Sequence, residues 1–266
     1  MRRIALIAVA VGMLIAAGAA LAATQINTYT ATLTFSPSKA GTAKKPVPIS
    51  YTQDYKAQGT GGNRTAILTD IKTTVYGLKA DGKDFPTCSL AKIAAAKSDA
   101  VCPKGAKAGA GFITASLGSK TNFTAQGSAC DPLLDVWNSG QGKLTFFFVD
   151  TPTHQCLGTV LKTGDVGPYP GTYKTQGKNL VVDVPVPTYV TFPAPGLAGS
   201  LETEHLVWAK TTKKVKGKTV AMTSSVACQG KKRPYSVAFT ANLPSSTGTG
   251  PGTTQTSTVN GTAPCK

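Results

Sequence analysis

Two cysteines, Cys88 and Cys102, enclose the one convincing helical repeat in this chain, and no other feature constrains the fold as much. Within residues 85–111, Ser89 or Thr87 offers a helix cap, while Leu90, Ile93 and Ala94 fall on one face at helical spacing. A helix over residues 89–97 rises about 13 Å. Residues 98–102, extended at about 3.3 Å each, cover the return and bring Cys102 beside Cys88, as a bridge requires. Closing a loop of about 15 residues contributes roughly 3 kcal/mol in the chain-entropy model. The turn at Cys102 and Pro103 then launches the next strand.

The start of the chain reads as an export signal. Arg2 and Arg3 supply the positive end, residues 4–15 are apolar, and Ala20-Leu21-Ala22 is an A-x-A cleavage pattern. Residues 1–22 are therefore expected to be removed; the alternative is an uncleaved anchor over residues 4–23, long enough to span a bilayer. No second apolar stretch is long enough, so no transmembrane segment is expected after cleavage, and the localisation expected is secreted or envelope-associated. In an oxidising compartment six cysteines imply a disulfide framework. Pairing nearest in the chain gives Cys88 with Cys102, Cys130 with Cys156, and Cys228 with Cys265. The first pair rests on the helix geometry, the other two on proximity. With no CxxC and only two histidines, no zinc ligand set presents itself, and no metal or cofactor is expected.

Regular alternation dominates the rest. Tyr29, Ala31, Leu33 and Phe35 face one way and the intervening threonines the other, a half-buried strand. Residues 65–76 alternate with Ile67, Ile71 and Val75 on one face. Residues 112–117 and 122–125 give two further strand candidates. In residues 143–150, Leu144, Phe146 and Phe148 oppose Phe147 and Val149, so both faces need cover. The prolines of residues 185–196 mark an edge or a surface loop. Residues 201–210 and 219–228 read as the arms of a hairpin with residues 213–218 at its tip, and Tyr235, Val237 and Phe239 alternate in the strand that follows. About ten short strands and one short helix make a disulfide-bonded all-β sandwich over residues 23–243. The Ser-, Thr- and Gly-rich tail, residues 244–266, is tied back by Cys265. A split into two domains near Asp165 is the alternative.

Around the Cys-Pro turn the chain resembles a group of exported actinobacterial proteins of unknown function, in which a cysteine, a short helix and a C-P-x-x-A-x-V-G-x-G run recur. The matching residues are Cys102, Pro103, Ala106, Gly109 and Gly111, with Ala108 where valine or isoleucine is usual. The likeness is clearest over residues 69–117, with an echo in residues 228–235. It implies a compartment and a fold, and no activity.

Charge narrows the function classes. The formal net charge is +16, and without Arg2 and Arg3 the exported chain keeps +14. Nearly all of it is lysine; Arg64 and Arg233 are the remaining arginines. Specific base or phosphate reading favours the arginine fork, so no specific nucleic acid is expected. Lys210, Lys213, Lys214, Lys216 and Lys218 crowd the expected hairpin tip, and Lys231, Lys232 and Arg233 open the following strand. Together they form an electrostatic footprint for an anionic envelope polymer or lipid headgroups; the plainer role is to keep an exported protein soluble and its strand edges unpaired. The only glutamates, Glu202 and Glu204, share a face in an ideal strand, about 7 Å apart. That spacing allows an acid/base pair on a glycan, or simply a solvated strand face. His205 falls on the opposite face as a hydrogen-bonded sandwich residue, and His154 lies in a turn beside Cys156. No GxSxG elbow gives either a serine partner, and the glycines of residues 58–63 lack the GK[ST] of a phosphate loop. The reading is an exported, non-catalytic β-sandwich that binds anionic envelope material through a lysine-rich end. A secreted glycan hydrolase using Glu202 and Glu204, and a structural or adhesive surface module, are the competing readings.

Overall fold

The computed structural model describes residues 26–156, 162–245 and 252–266; the expected export signal, residues 1–22, lies outside them. The chain opens with β1 (Asn27–Ser36), the two-residue β2 (Val47–Pro48), β3 (Ser50–Gly59) and β4 (Ile67–Tyr76). After β5 (Leu78–Ala80) comes helix α1 (Leu90–Ala96), then β6 (Lys107–Ser119), β7 (Ser128–Cys130), β8 (Leu133–Gly140) and β9 (Lys143–Val149). The short helix α2 (Thr163–Val166) precedes β10 (Tyr169–Gln176) and β11 (Asn179–Pro185), and α3 (Thr188–Thr191) precedes β12 (Leu197–Trp208). A small hairpin, β13 (Thr212–Val215) and β14 (Lys218–Ala221), leads through β15 (Thr223–Ser225) to the long pair β16 (Lys232–Leu243) and β17 (Thr253–Pro264).

Twelve of these strands form one antiparallel sheet, ordered β1-β3-β12-β6-β8-β9-β10-β11-β4-β16-β17 with β7 paired to β6. The sheet rolls until its ends meet. Tyr29 of β1 lies flat on Phe239 of β16, ring centroids 4.4 Å apart. The Tyr235 hydroxyl donates to the Ala31 carbonyl at 3.4 Å. The Gln255 side chain of β17 accepts from the backbone of Ile26 and Asn27 and donates to the Asn27 carbonyl. Side chains therefore close the wall. The fold is all-β and disulfide-bonded as expected, its facing layers being two halves of one rolled sheet.

Alternation explains which side chains enter the interior. Leu33, Tyr51, Tyr55, Val75, Leu206, Val237 and Phe239 belong to one continuous core, and a fully buried side chain of this kind contributes about 1.5–3 kcal/mol. β9 is apolar on both faces because α1 covers its outside: Phe147 packs with Trp137, Ile93, Ala106 and Cys88, while Leu144, Phe146 and Phe148 face inward. Ser89 caps α1 by accepting from the Lys92 amide. The three expected bridges form, with Cα separations of 5.4, 4.1 and 5.9 Å for Cys88–Cys102, Cys130–Cys156 and Cys228–Cys265.

Four local expectations are corrected. A register shift in the β4–β16 pairing at Thr69 puts Ile67 in a separate cluster with Phe123 and Ala198, away from Ile71 and Val75. Residues 122–125 form no strand; Arg64 reaches into that loop and stacks on Phe123 at 4.4 Å. Residues 201–208 pair with β3 and β6, so the lysine hairpin is only the short β13–β14. The tail is more than tied back, since residues 253–264 pair along the whole of β16.

The strand connections divide between two ends of the roll. One end holds residues 37–49, 77–88, 177–178 and 209–231, while residues 89–106 cross the outside of β8 and β9, where Lys97 pairs with Asp165 at 2.7 Å. The other holds residues 60–66, 120–132, 150–156, 162–168, 186–196, 244–245 and 252.

Arg233 is the polar knot of the first end. It is wholly buried and donates to the Tyr76 and Gly77 carbonyls, the Ser225 hydroxyl and Cys265 Sγ, with its guanidinium over the Phe35 ring at 5.0 Å. Burial lowers its pKa to about 10, which still leaves it charged at neutral pH. Arg233→Met keeps the bulk and strands these acceptors, so urea denaturation should show a loss of about 3 kcal/mol. A change below about half a kcal/mol, the size expected of a surface residue, would refute this role.

Candidate functional site

The two glutamates do not form a pair. β12 carries a bulge against β6: Leu201 faces Ala115 and Thr203 faces Thr114, which leaves Glu202 as the extra residue. As a result Leu201 and Glu204, three positions apart, both line one interior cavity, and half-buried Glu202 does not. The expected solvated face is overturned, because Glu204 is only 8% exposed.

The cavity occupies the half of the roll away from the lysine hairpin and measures about 100 Å³. Leu68 and Ile71 of β4, Ile113 and Leu117 of β6, Phe148 of β9 and Tyr169 of β10 make its apolar wall, and the Cys130–Cys156 bridge lies in that wall. The proline-rich residues 185–196 are indeed a loop; with α3 they supply a partly exposed rim of Val186, Val190 and Pro193, facing Val166 of α2.

A relay fixes the Glu204 carboxyl. Trp208 Nε1 donates to Gln53 Oε1 at 2.9 Å, and Gln53 Nε2 donates to Glu204 Oε1 at 2.5 Å. The indole N–H thereby sets which end of the amide meets the acid. Burial pushes the Glu204 pKa up to about 7, against the opposing pull of the Gln53 bond. The hydroxyls of Tyr51, Tyr55 and Tyr169 are held above their ordinary value by burial first and by the Glu204 charge second.

Both histidines sit on the outside. His205 is on the face opposite Glu204, with Nδ1 2.6 Å from Asp54 Oδ1 and its ring 5.3 Å from that of Phe112. The expected hydrogen bond exists, but its setting is a half-exposed surface. His154 approaches Phe112 from the other side and holds the Asp131 carbonyl at 3.1 Å. Among the described residues no group of three or more His, Cys, Asp and Glu side chains is placed to hold a metal ion.

The basic residues separate into two kinds. Lys210, Lys213, Lys214, Lys216 and Lys218 are exposed on and beside β13–β14, and Lys231 and Lys232 are exposed at the start of β16, at the same end. Lys213 Nζ is anchored to the Asp84 carbonyl. Arg233 does not belong with them. As the first inward residue of β16 it is buried in the knot described above, so it cannot contact a surface ligand.

Nothing in the alternation of β12 signals the bulge, so the burial of Glu204 was not legible. Its stability consequence is measurable. The folded state holds the Glu204 proton up to about pH 7, while the free side chain releases it near 4.5. Stability therefore falls as pH rises through that window, by an amount on the order of 3 kcal/mol. Asp135, raised to about 6 by burial despite Lys107, adds to the same trend. Glu204→Gln should melt near wild type at pH 5 and clearly above it at pH 8; a variant that tracks the wild-type pH profile would contradict this account. Comparison with family models, curated proteins and solved structures finds no match.

Proposed function

We propose that this is an exported, non-catalytic protein of the cell envelope whose lysine-rich end holds it against anionic polymer or lipid headgroups. The observation that carries this reading is the uneven distribution of charge between the two ends. Residues 209–231 contain Lys210, Lys213, Lys214, Lys216, Lys218 and Lys231 and no acidic residue, and residues 37–49 add Lys39, Lys44 and Lys45, again without an acid. At the opposite end, Arg64, Lys120 and Lys162 are matched by Asp131, Asp150 and Asp165. Residues 77–88 at the lysine end are balanced, Lys79 and Lys83 pairing with Asp81 beside Asp84, so the positive excess there comes from the other segments and orients the molecule on a polyanionic surface.

Export is supported by the three disulfides, and no helix among the described residues is long and apolar enough to cross a membrane. The adhesive reading has less behind it. Among the described residues the exposed large apolar side chains are Val101, Phe112, Tyr189 and Val207, and of these only Phe112 and Val207 lie close together on the β6–β12 surface, well short of a patch of several hundred Å². The hydrolase reading loses its pair, because one of its two carboxyls does not enter the cavity.

A lysine at an anionic lipid surface contributes about 1 kcal/mol, so the triple variant K213Q/K214Q/K216Q should partition about 100-fold less onto phosphatidylglycerol vesicles in low salt. Lys120→Gln, at the opposite end, should change nothing. A polyphosphate column run beside the vesicles separates polymer from lipid as the preferred surface. Equal retention of the triple variant and wild type on both would overturn the proposal.

A further inference from the structure

We propose that the interior cavity is a binding site for a small, neutral, predominantly apolar molecule bearing one hydroxyl or carbonyl group, which the Glu204 carboxyl engages. This inference does not depend on the lysine-rich end, which lies at the other end of the roll.

Four observations converge on it. First, Glu204 occupies a position where β12 otherwise turns Leu206 and Trp208 inward. A carboxyl among apolar walls costs stability that leucine would not, and such departures from a consistent core concentrate at functional sites. Second, the carboxyl is half-used. The Trp208–Gln53 relay engages Oε1 with one donor, while Oε2 makes no hydrogen bond among the described residues. Third, the neighbours do not compete for that oxygen. Tyr55 shares its hydroxyl bond with Thr73 on β4, Gln53 is held by Trp208, and His205 points to the opposite face. Fourth, the cavity of about 100 Å³ approaches the size at which an apolar cavity accepts a benzene ring. Its rim residues Val166, Val186, Val190 and Pro193 are partly exposed and offer an entrance.

The chemistry of the walls selects the ligand class. Glu204 is the one charged residue among the described residues that line the cavity; Tyr169 of β10 lines it too, and the hydroxyls of Tyr51 and Tyr55 on β3 feel the Glu204 charge from outside its lining. No lysine or arginine faces it among the described residues, so an anionic head finds no partner once Glu204 ionises. A hydroxyl meets the carboxyl equally well as donor or acceptor.

The test uses the mature protein with its disulfides intact and phenol, one ring bearing one hydroxyl, as the probe, followed by titration calorimetry. Phenol should bind saturably at one site and be displaced by 1-butanol. Butyrate should displace it about tenfold less well at pH 8 than at pH 6, because a carboxyl titrating near 7 is then about one-tenth protonated. That pH difference should vanish in Glu204→Gln, while displacement by 1-butanol persists. Val190→Trp, at the partly exposed rim, and Leu201→Phe, in the wall, should each weaken the probe at least about tenfold without lowering the melting temperature. The proposal is overturned by absence of saturable binding, by binding that both variants leave unchanged, or by butylamine displacing the probe more tightly than 1-butanol does.

Discussion

The rolled sheet depends on Arg233. From the start of β16 its guanidinium reaches the last carbonyls of β4, the Ser225 hydroxyl of β15, the sulfur of Cys265 after β17, and the face of Phe35 on β1. Those elements come from both margins of the sheet and from the small β2-β15-β5 sheet at that end. A neutral side chain satisfies at most a few such acceptors, whereas the guanidinium fork offers five donors and an apolar face at once. The Cys228–Cys265 bridge fastens the same junction covalently, and the backbone of Cys265 donates to Lys231. The charge that in the sequence prolongs the Lys231–Lys232 cluster is therefore the centre of the seam.

How much could be read from the residues follows from the range over which each signal acts. The Cys88–Cys102 bridge and α1 are local, and spacing alone places them. β1, β9 and β16 keep a strict period of two, so their inward faces follow directly from counting. Bulges defeat that counting. The extra residue at Thr69 sends Ile67 to another cluster, and the extra residue at Glu202 aims Leu201 and Glu204 into one cavity. The pairing that makes room for an extra residue lies on a partner strand distant in the chain, so no local pattern announces it.

β17 was obscured for a different reason. Its low apolarity resembles a linker, yet Thr254, Thr256, Thr258 and Thr262 recur at every second position or its multiple and point outward. β-branched residues in that rhythm fit an exposed pleated face, and this was the available signal. Its inward side is built from small groups because the partner strand supplies the bulk. At Gly261 an added Cβ would lie 2.3 Å from the Tyr235 ring, so glycine is what lets that ring settle against β17. A strand of this kind is legible only once its neighbour is known.

The two ends of the roll answer opposite demands. The lysine end is packed more closely: Arg233 is wholly buried there, the interior pocket between Tyr51, Asn138 and Met222 measures only about 20 Å³, and the charge is carried outward on β13–β14. The other end tolerates an unfilled interior of about 100 Å³. At about 24 cal/mol per Å³ such a void costs about 2 kcal/mol, and an ionised Glu204 adds a penalty of similar size. The Cys130–Cys156 bridge runs through that same wall and closes a loop spanning 26 positions, worth about 3–4 kcal/mol in the chain-entropy model. The covalent link is thus of the right magnitude, and in the right place, to let this part of the core stay hollow and keep a carboxyl inside it. An apolar side chain at position 204 and a larger one at Ala115 would satisfy the fold more cheaply, and the chain has neither.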